Sequence, residues 1–174
     1  NSRGSDVRTL VAYGDVLFDT EVVQKLLHGD SDVTIVIDRT HLRQANADQK
    51  RRDLVRIAAA EAPAHRFLSG GALQEVTAIG KCLTADGTDG EFAGLVLFSA
   101  QGWRALRLEY EARRANAPDS RVHEAPSLDR AALTDLLQVG AEAGHRVAAL
   151  EVTSGWLEIH SFEDYQLACR LVAR

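Results

Sequence analysis

With 174 residues, 45% of them hydrophobic, the chain is long enough to bury one sizeable core and too short to expect several. A formal net charge of −5 excludes a nucleic-acid partner held by bulk electrostatics, and no run of about 18 apolar residues offers a membrane span. Cys82 and Cys169 stand far apart, which fits reduced thiols in a cytoplasmic protein rather than a disulfide framework.

The opening "NSRGSDVR" has no apolar signal core. "TLVAYGDVLF" then predicts a buried strand that ends by pushing Gly14 and Asp15 to its tip, with a second aspartate, Asp19, four residues on. A carboxylate in that place is either an ordinary turn or a metal site. "TEVVQKLLHG" predicts a helix with Val22, Val23, Leu26 and Leu27 on one face, Asp19 or Thr20 as N-cap and Gly29 as stop. "DVTIVID" (32–38) is a β-branched run of the kind buried in parallel sheets. Asp38 closes it, either as a cap for the following loop or in reach of a ligand.

Residues 39–75 are more polar and predict a loop entering a helix near "DLVRIAAAEA", which Pro63 closes. "EVTAIGKCL" and "EFAGLVLFS" predict strands joined by "TADGTDG", a hairpin signal. "AQGWRALRLEYEARR" is helical, "ANAPDSRVHEAPS" a loop, and "LDRAALTDLLQVGAEAG" a helix capped by Ser127 and ended near Gly144. "RVAALEV", "WLEIH" and a last helix, "FEDYQLACRLVA", complete the chain. There is no internal repeat and no linker, so residues 1–174 form a single α/β domain with a mainly parallel mixed sheet and a late hairpin.

In such sheets ligands bind beyond the carboxyl ends of strands, where Asp15 lies. Glu158 and His160, two apart on a strand, point to one face at another strand end. Ser161 and Asp164 make a capping box for the last helix, which assigns Glu163 and Asp164 to the cap and its dipole. Trp103 and Trp156 read as packing residues. His28, His41, His65, His123 and His145 show no ligand spacing.

In order and spacing, "YGDVLF", "VTIVID", "IGKCL", "GEFAGLVLFSAQG" and "GWLEIHSFEDY" resemble the nucleotidyltransferases that make CDP- or UDP-activated metabolites. The resemblance spans nearly all of residues 9–173. It is strongest to the cytidylyltransferases of phosphonate and phosphonate-antibiotic biosynthesis, often fused to phosphoenolpyruvate mutase. The choline-phosphate cytidylyltransferases of bacterial surface decoration are similar too. It implies a Rossmann-like nucleotidyltransferase fold and transfer of CMP from CTP to a small phosphonate such as 2-hydroxyethyl- or 2-aminoethylphosphonate, releasing pyrophosphate. Phosphocholine or a sugar phosphate is the alternative acceptor.

The resemblance also implies that Asp15 holds a catalytic Mg2+ and that the acidic strand before the last helix supplies the second ligand. The family reads D-x-D or D-x-N there; this chain reads Glu158-x-His160. Magnesium prefers oxygen, which favours Glu158 and leaves His160 to a water or a phosphate oxygen. Lys81 joins Asp15 in the implied catalytic set, with a solvated lysine as the alternative. Tyr13, Asp38, Arg39 and Glu91 fall on the substrate side; for Glu91 the other reading is the polar end of a hairpin turn. Two polyanionic substrates would need local cations, for which Lys81, Arg39, Arg51 and Arg52 are candidates.

The family's glycine-rich triphosphate loop, roughly G-x-G-x-R, has no counterpart in these residues. We therefore expect this chain to be the carboxyl-terminal portion of a catalytic domain. The nucleotide loop would come from an adjoining amino-terminal segment. The rival reading is a non-catalytic binding module that kept the sheet and lost the loop. The expected outcome is that the 174 residues alone release no pyrophosphate from CTP in a coupled assay, and that supplying the family's front segment restores release. Robust turnover by the chain alone would show that the triphosphate grip lies within it.

Overall fold

The computed structural model describes residues 7–40, 52–58, 73–84 and 86–172. In chain order they form β1 (Thr9–Ala12), β2 (Val16–Phe18), α1 (Thr20–Leu27), β3 (Val33–Asp38), β4 (Leu54–Ile57), β5 (Gln74–Gly80), β6 (Gly90–Phe98), α2 (Ala100–Asn116), α3 (Leu133–Glu142), β7 (Val147–Val152), β8 (Trp156–Glu158) and α4 (Phe162–Val172). The main sheet has the order β1-β6-β3-β7-β5-β4, and β4 also pairs with the start of β6; β2 and β8 form a separate ribbon.

Strands β3 and β6 are buried at every position because both faces of the sheet are covered. Their side chains alternate between two cores. Ile35, Ile37, Phe92, Val96 and Phe98 pack with Leu106 of α2 and Leu137 of α3. Val36, Ala93, Leu95 and Leu97 pack on the other side with Val22 and Leu26 of α1 and with Phe18 and Trp156 of the ribbon. The result is three layers: two helices, the sheet, then one helix with the ribbon.

The sheet is mixed, as the sequence leads one to expect, but its balance differs. Among the described strands the parallel pairing is that of β3 with β7, and the others are antiparallel. The run "TLVAYGDVLF" is not one buried strand. It breaks at Gly14 and Asp15 into β1, which edges the sheet beside β6, and β2, which leaves the sheet to pair with β8. Half-exposed alternation along β1 marks that edge.

Residues 54–57 are a strand, not the start of a helix: "LVRI" pairs with β5 and β6, and its Val55 and Ile57 suit a pleated, buried surface. The remainder of that expected helix lies outside the described residues. Strands β5 and β6 do not form a hairpin with each other, because β4 lies between them. The helix expected from Ser127 begins instead at Leu133; Ser127 precedes a short 3-10 turn, Leu128–Arg130, without a side-chain cap bond. Helices α1, α2 and α4 and strands β3, β7 and β8 fall where the periodicity places them.

Phe98 is fully buried and meets Trp103 edge-on at 5.3 Å. Phe98→Ala is expected to cost about 3–5 kcal/mol, the range for emptying a buried aromatic site. Urea denaturation of wild type and variant measures it, and a loss below about 1 kcal/mol would mean the site collapses around the cavity.

Candidate active site

Strand register brings polar positions to one end of the sheet. Val152 pairs with Asp38, Asp38 with Glu91, Glu91 with Leu54, and Leu54 with Gly80. One row thus crosses β7, β3, β6, β4 and β5, and Asp53 and Lys81 adjoin it in the chain. Only residues at strand ends can carry charge here, because the rest of each central strand is enclosed on both faces.

The ribbon supplies the second group. Val16 lies opposite Glu158, and the Asp15 carbonyl accepts the Ile159 N–H at 2.8 Å. This short antiparallel pairing brings residues 15, 158 and 160 together although 143 positions separate the first two in sequence (158 − 15). One ligand atom from each of Asp15, Glu158 and His160 lies within 4.8 Å of the others. His160 Nε2 stands 2.9 Å from Glu158 Oε2. The start of α4 fixes the imidazole's backbone: Asp164 Oδ2 accepts the His160 and Ser161 N–H groups at 3.1 and 2.9 Å, and Ser161 Oγ accepts the Asp164 N–H at 3.1 Å. The expected capping box is present, and hydrogen bonds from Ser161 and His160 hold Asp164 below the usual carboxylate range.

Tyr13 links the ribbon to the sheet end. Its N–H donates to the Gly94 carbonyl at 2.9 Å and its ring meets Phe92 edge-on at 5.6 Å. Gly94 has φ +76°, and a Cβ there would press on the Tyr13 ring at 3.2 Å, so glycine is what lets the ring lie across β6. Burial first, then the negative charges of Asp53, Asp15, Glu158 and Asp135, push the phenol up to about 12. Tyr13 therefore stays a neutral hydroxyl, able to donate.

Glu91 is buried, and burial pushes its carboxyl up to about 7, helped by Glu158, Asp38 and Asp53 and opposed by Arg52. Arg52 Nε stands 3.8 Å from Glu91 Oε1. Asp38 is engaged in the fold: Oδ1 accepts Thr40 N–H and Oγ1–H at 2.7 and 2.8 Å, and Oδ2 accepts Trp156 Nε1–H at 2.8 Å. Trp156 is thus a packing residue that also ties the ribbon to β3. Arg39 pairs with Glu151 at 2.9 Å. Lys81 is exposed at the end of β5. Arg51 lies outside the described residues.

Asp53 was not singled out by sequence reasoning, because its stretch reads as polar loop and helix. It accepts from Thr134 Oγ1 at 3.1 Å, and burial raises its carboxyl against the pull of Lys81 and Thr134. The signal that would have found it is the β-branched "LVRI" directly after an aspartate. Asp15, Asp38, Asp53, Glu91 and Glu158 together make an acidic basin, with Arg52, Lys81 and His160 at its sides.

No family model and no curated protein matches the sequence. Among solved structures the chain is similar to the inositol-1-phosphate CTP transferase from T. maritima, with 15% identity and TM-score 0.59 over 98% of this chain and 58% of that one. It is also similar to a Bacillus anthracis protein described as a glucose-1-phosphate thymidylyltransferase (13% identity, TM-score 0.58, 97% and 55% covered). An apo UDP-glucose pyrophosphorylase gives 13% identity, TM-score 0.58, and 97% and 55% coverage. The chain has the mixed α/β fold of these nucleotidyltransferases. It spans a little over half the length of each. Among the described residues, no helix is long and apolar enough to cross a membrane.

The Glu91 environment predicts a pH signature. Its folded-state value, about 7, lies above the usual 4.5, so its protonated form favours folding below about 4.5 and that contribution is lost as pH rises through about 7. Glu91→Gln removes the titration. The melting temperature of the variant minus that of wild type should therefore rise between pH 5 and pH 8; a difference that stays flat would place Glu91 in a solvated setting.

Proposed function

We propose that the protein takes part in metal-dependent nucleotidyl transfer, moving CMP from CTP to a small phosphonate. The observation that carries this reading is the convergence of Asp15, Glu158 and His160 beside the acidic row of a nucleotidyltransferase-type sheet. The donor set suits magnesium, which needs one or two carboxylates and fills its remaining positions with water and phosphate oxygens. Asp15 and Glu158 would hold it. His160 fits a supporting place better: the ring nitrogen facing Glu158 can donate to that carboxylate and orient it. When bound, the ion neutralises charge on the phosphates.

In the reaction proposed, an acceptor oxygen attacks the α-phosphorus of CTP in line. The new O–P bond forms as the bond to the β-phosphate bridging oxygen breaks, and pyrophosphate leaves with its electron pair. Such transfers are mostly positioning and charge neutralisation. Lys81, at the edge of the basin, would offset phosphate charge; the Tyr13 hydroxyl would donate to a substrate oxygen. Asp38, through Trp156, keeps ribbon and sheet in one arrangement.

The acceptor reading follows from charge. Glu91 and Asp53 on the sheet side suit an ammonium, which favours 2-aminoethylphosphonate over a neutral sugar. A sugar or inositol phosphate is the second reading, since the solved neighbours are named for such acceptors. An adjoining phosphoenolpyruvate mutase domain would fit the first reading.

Pyrophosphate release by the full-length protein, measured against magnesium concentration with each acceptor, tests this. Asp15→Asn should lower kcat on the order of 10²-fold, the scale for losing one electrostatic stabiliser, with the melting temperature held. Glu158→Gln should raise the magnesium requirement, and His160→Asn should be tolerated. Wild-type rates in Asp15→Asn across the titration would reduce that carboxylate to a turn residue.

A further inference from the structure

We propose that Glu124 is a positioning residue whose carboxylate clamps the backbone at the end of β5 and thereby holds Lys81 at the basin. The inference rests on the reading of Lys81 given above, and concerns a loop residue with no part in the ribbon site. Glu124 Oε2 accepts the Lys81 N–H at 2.8 Å, and Oε1 accepts the Cys82 N–H at 2.7 Å. Two successive backbone donors converging on one carboxylate make a charge-assisted pair, stronger than neutral hydrogen bonds.

The surroundings are built for this contact. Gly80 precedes the clamped pair, and a Cβ there would overlap Glu124 Oε1 and come within 2.8 Å of His123 Nε2. Only glycine leaves room for the carboxylate to lie against the strand. His123 has φ 50°, the left-handed region that non-glycine residues rarely adopt. That strained turn delivers Glu124, and strain of this kind persists where surrounding contacts over-determine it.

Helix α3 holds the clamp in turn. Buried Asp135 accepts the Glu124 and Ala125 N–H groups through Oδ1 at 3.0 and 3.3 Å, and the Ala132 N–H through Oδ2 at 2.8 Å. Gln138 Oε1, one turn further along, accepts the Ile79 N–H at 2.9 Å. Rigid helix, strained turn and strand end thus form one connected path to Lys81. Lys81 follows the Gly80 end of the row that crosses the sheet, and its charge opposes the burial that raises the Asp53 carboxyl.

His123, Glu124 and Asp135 also present ligand atoms within 4.8 Å of one another. Their carboxylates already accept backbone N–H groups from Lys81, Cys82, Glu124, Ala125 and Ala132. That argues for anchoring backbone over binding a cation.

The test compares amide hydrogen exchange, read by NMR, with turnover in the full-length protein. In wild type the Lys81 and Cys82 amides should exchange slowly. In Glu124→Gln both should exchange at least 10-fold faster and kcat should fall about 10-fold, with the magnesium requirement unchanged. Combined with Lys81→Ala, Glu124→Gln should add no further loss, because the clamp acts through that lysine. Unchanged exchange, or losses that multiply in the double variant, would overturn the proposal. Should Glu124→Gln not fold, Gly80→Ala displaces the carboxylate and is read the same way. A wild type that transfers no nucleotide to any acceptor would bring down the functional reading, while the exchange rates still decide whether the clamp exists.

Discussion

Strand β6 runs antiparallel to β3 while β7 runs parallel to it, and the site follows from that mixed pairing. Because β6 begins where β3 ends, Glu91 stands opposite Asp38, and the same row continues through Leu54 to Gly80. An all-parallel arrangement would send the start of β6 to the far end of the sheet. Burial of both faces makes the arrangement hard to alter. A slip of one residue along β3 or β6 would exchange the side chains of the two cores and force Phe92, Phe98 and Ile37 into the ribbon-side layer.

Concentrating carboxylates at one sheet end is costly, and the structure shows how the cost is met. Asp38 is satisfied by Thr40 and Trp156, Asp53 by Thr134, and Glu158 faces His160. Glu91 and Tyr13 respond by shifting towards their protonated forms, at about 7 and about 12. Perturbed groups beside a cluster of possible metal ligands make this sheet end the candidate site. Positive charge brought to this sheet end would offset that cost; under the proposals above it would come from an ion, an ammonium or Lys81.

The parts of this site that could be read along the chain are those that local physics controls. The capping box of Ser161 and Asp164 needs only residues three apart, and it forms as read. Glu158 and His160 meet as the two-residue spacing leads one to expect, although β8 ends at Glu158 and His160 lies just beyond it. In the β-branched run 32–38, Val33–Asp38 is buried on both sides, as its composition requires. The break at Gly14 and Asp15 was harder. Apolar residues continue on both sides of it, so periodicity alone reads one strand where the chain leaves the sheet for a ribbon.

What the sequence by itself determined is helices α1, α2 and α4, the buried central strands and the residue types available at their ends, since each depends on neighbours within a few residues. What only the tertiary structure decided is pairing. Leu54–Ile57 becomes a strand because β5 and β6 offer it open edges, although the alanine-rich residues that follow it in sequence read as helix. Asp15 reaches Glu158 across most of the chain, and Glu124 reaches Lys81 from a loop 43 residues away. Hydrogen bonds between distant backbone segments leave no periodic trace in the order of residues. They are fixed by which strand edges and helix faces the buried core leaves free to meet.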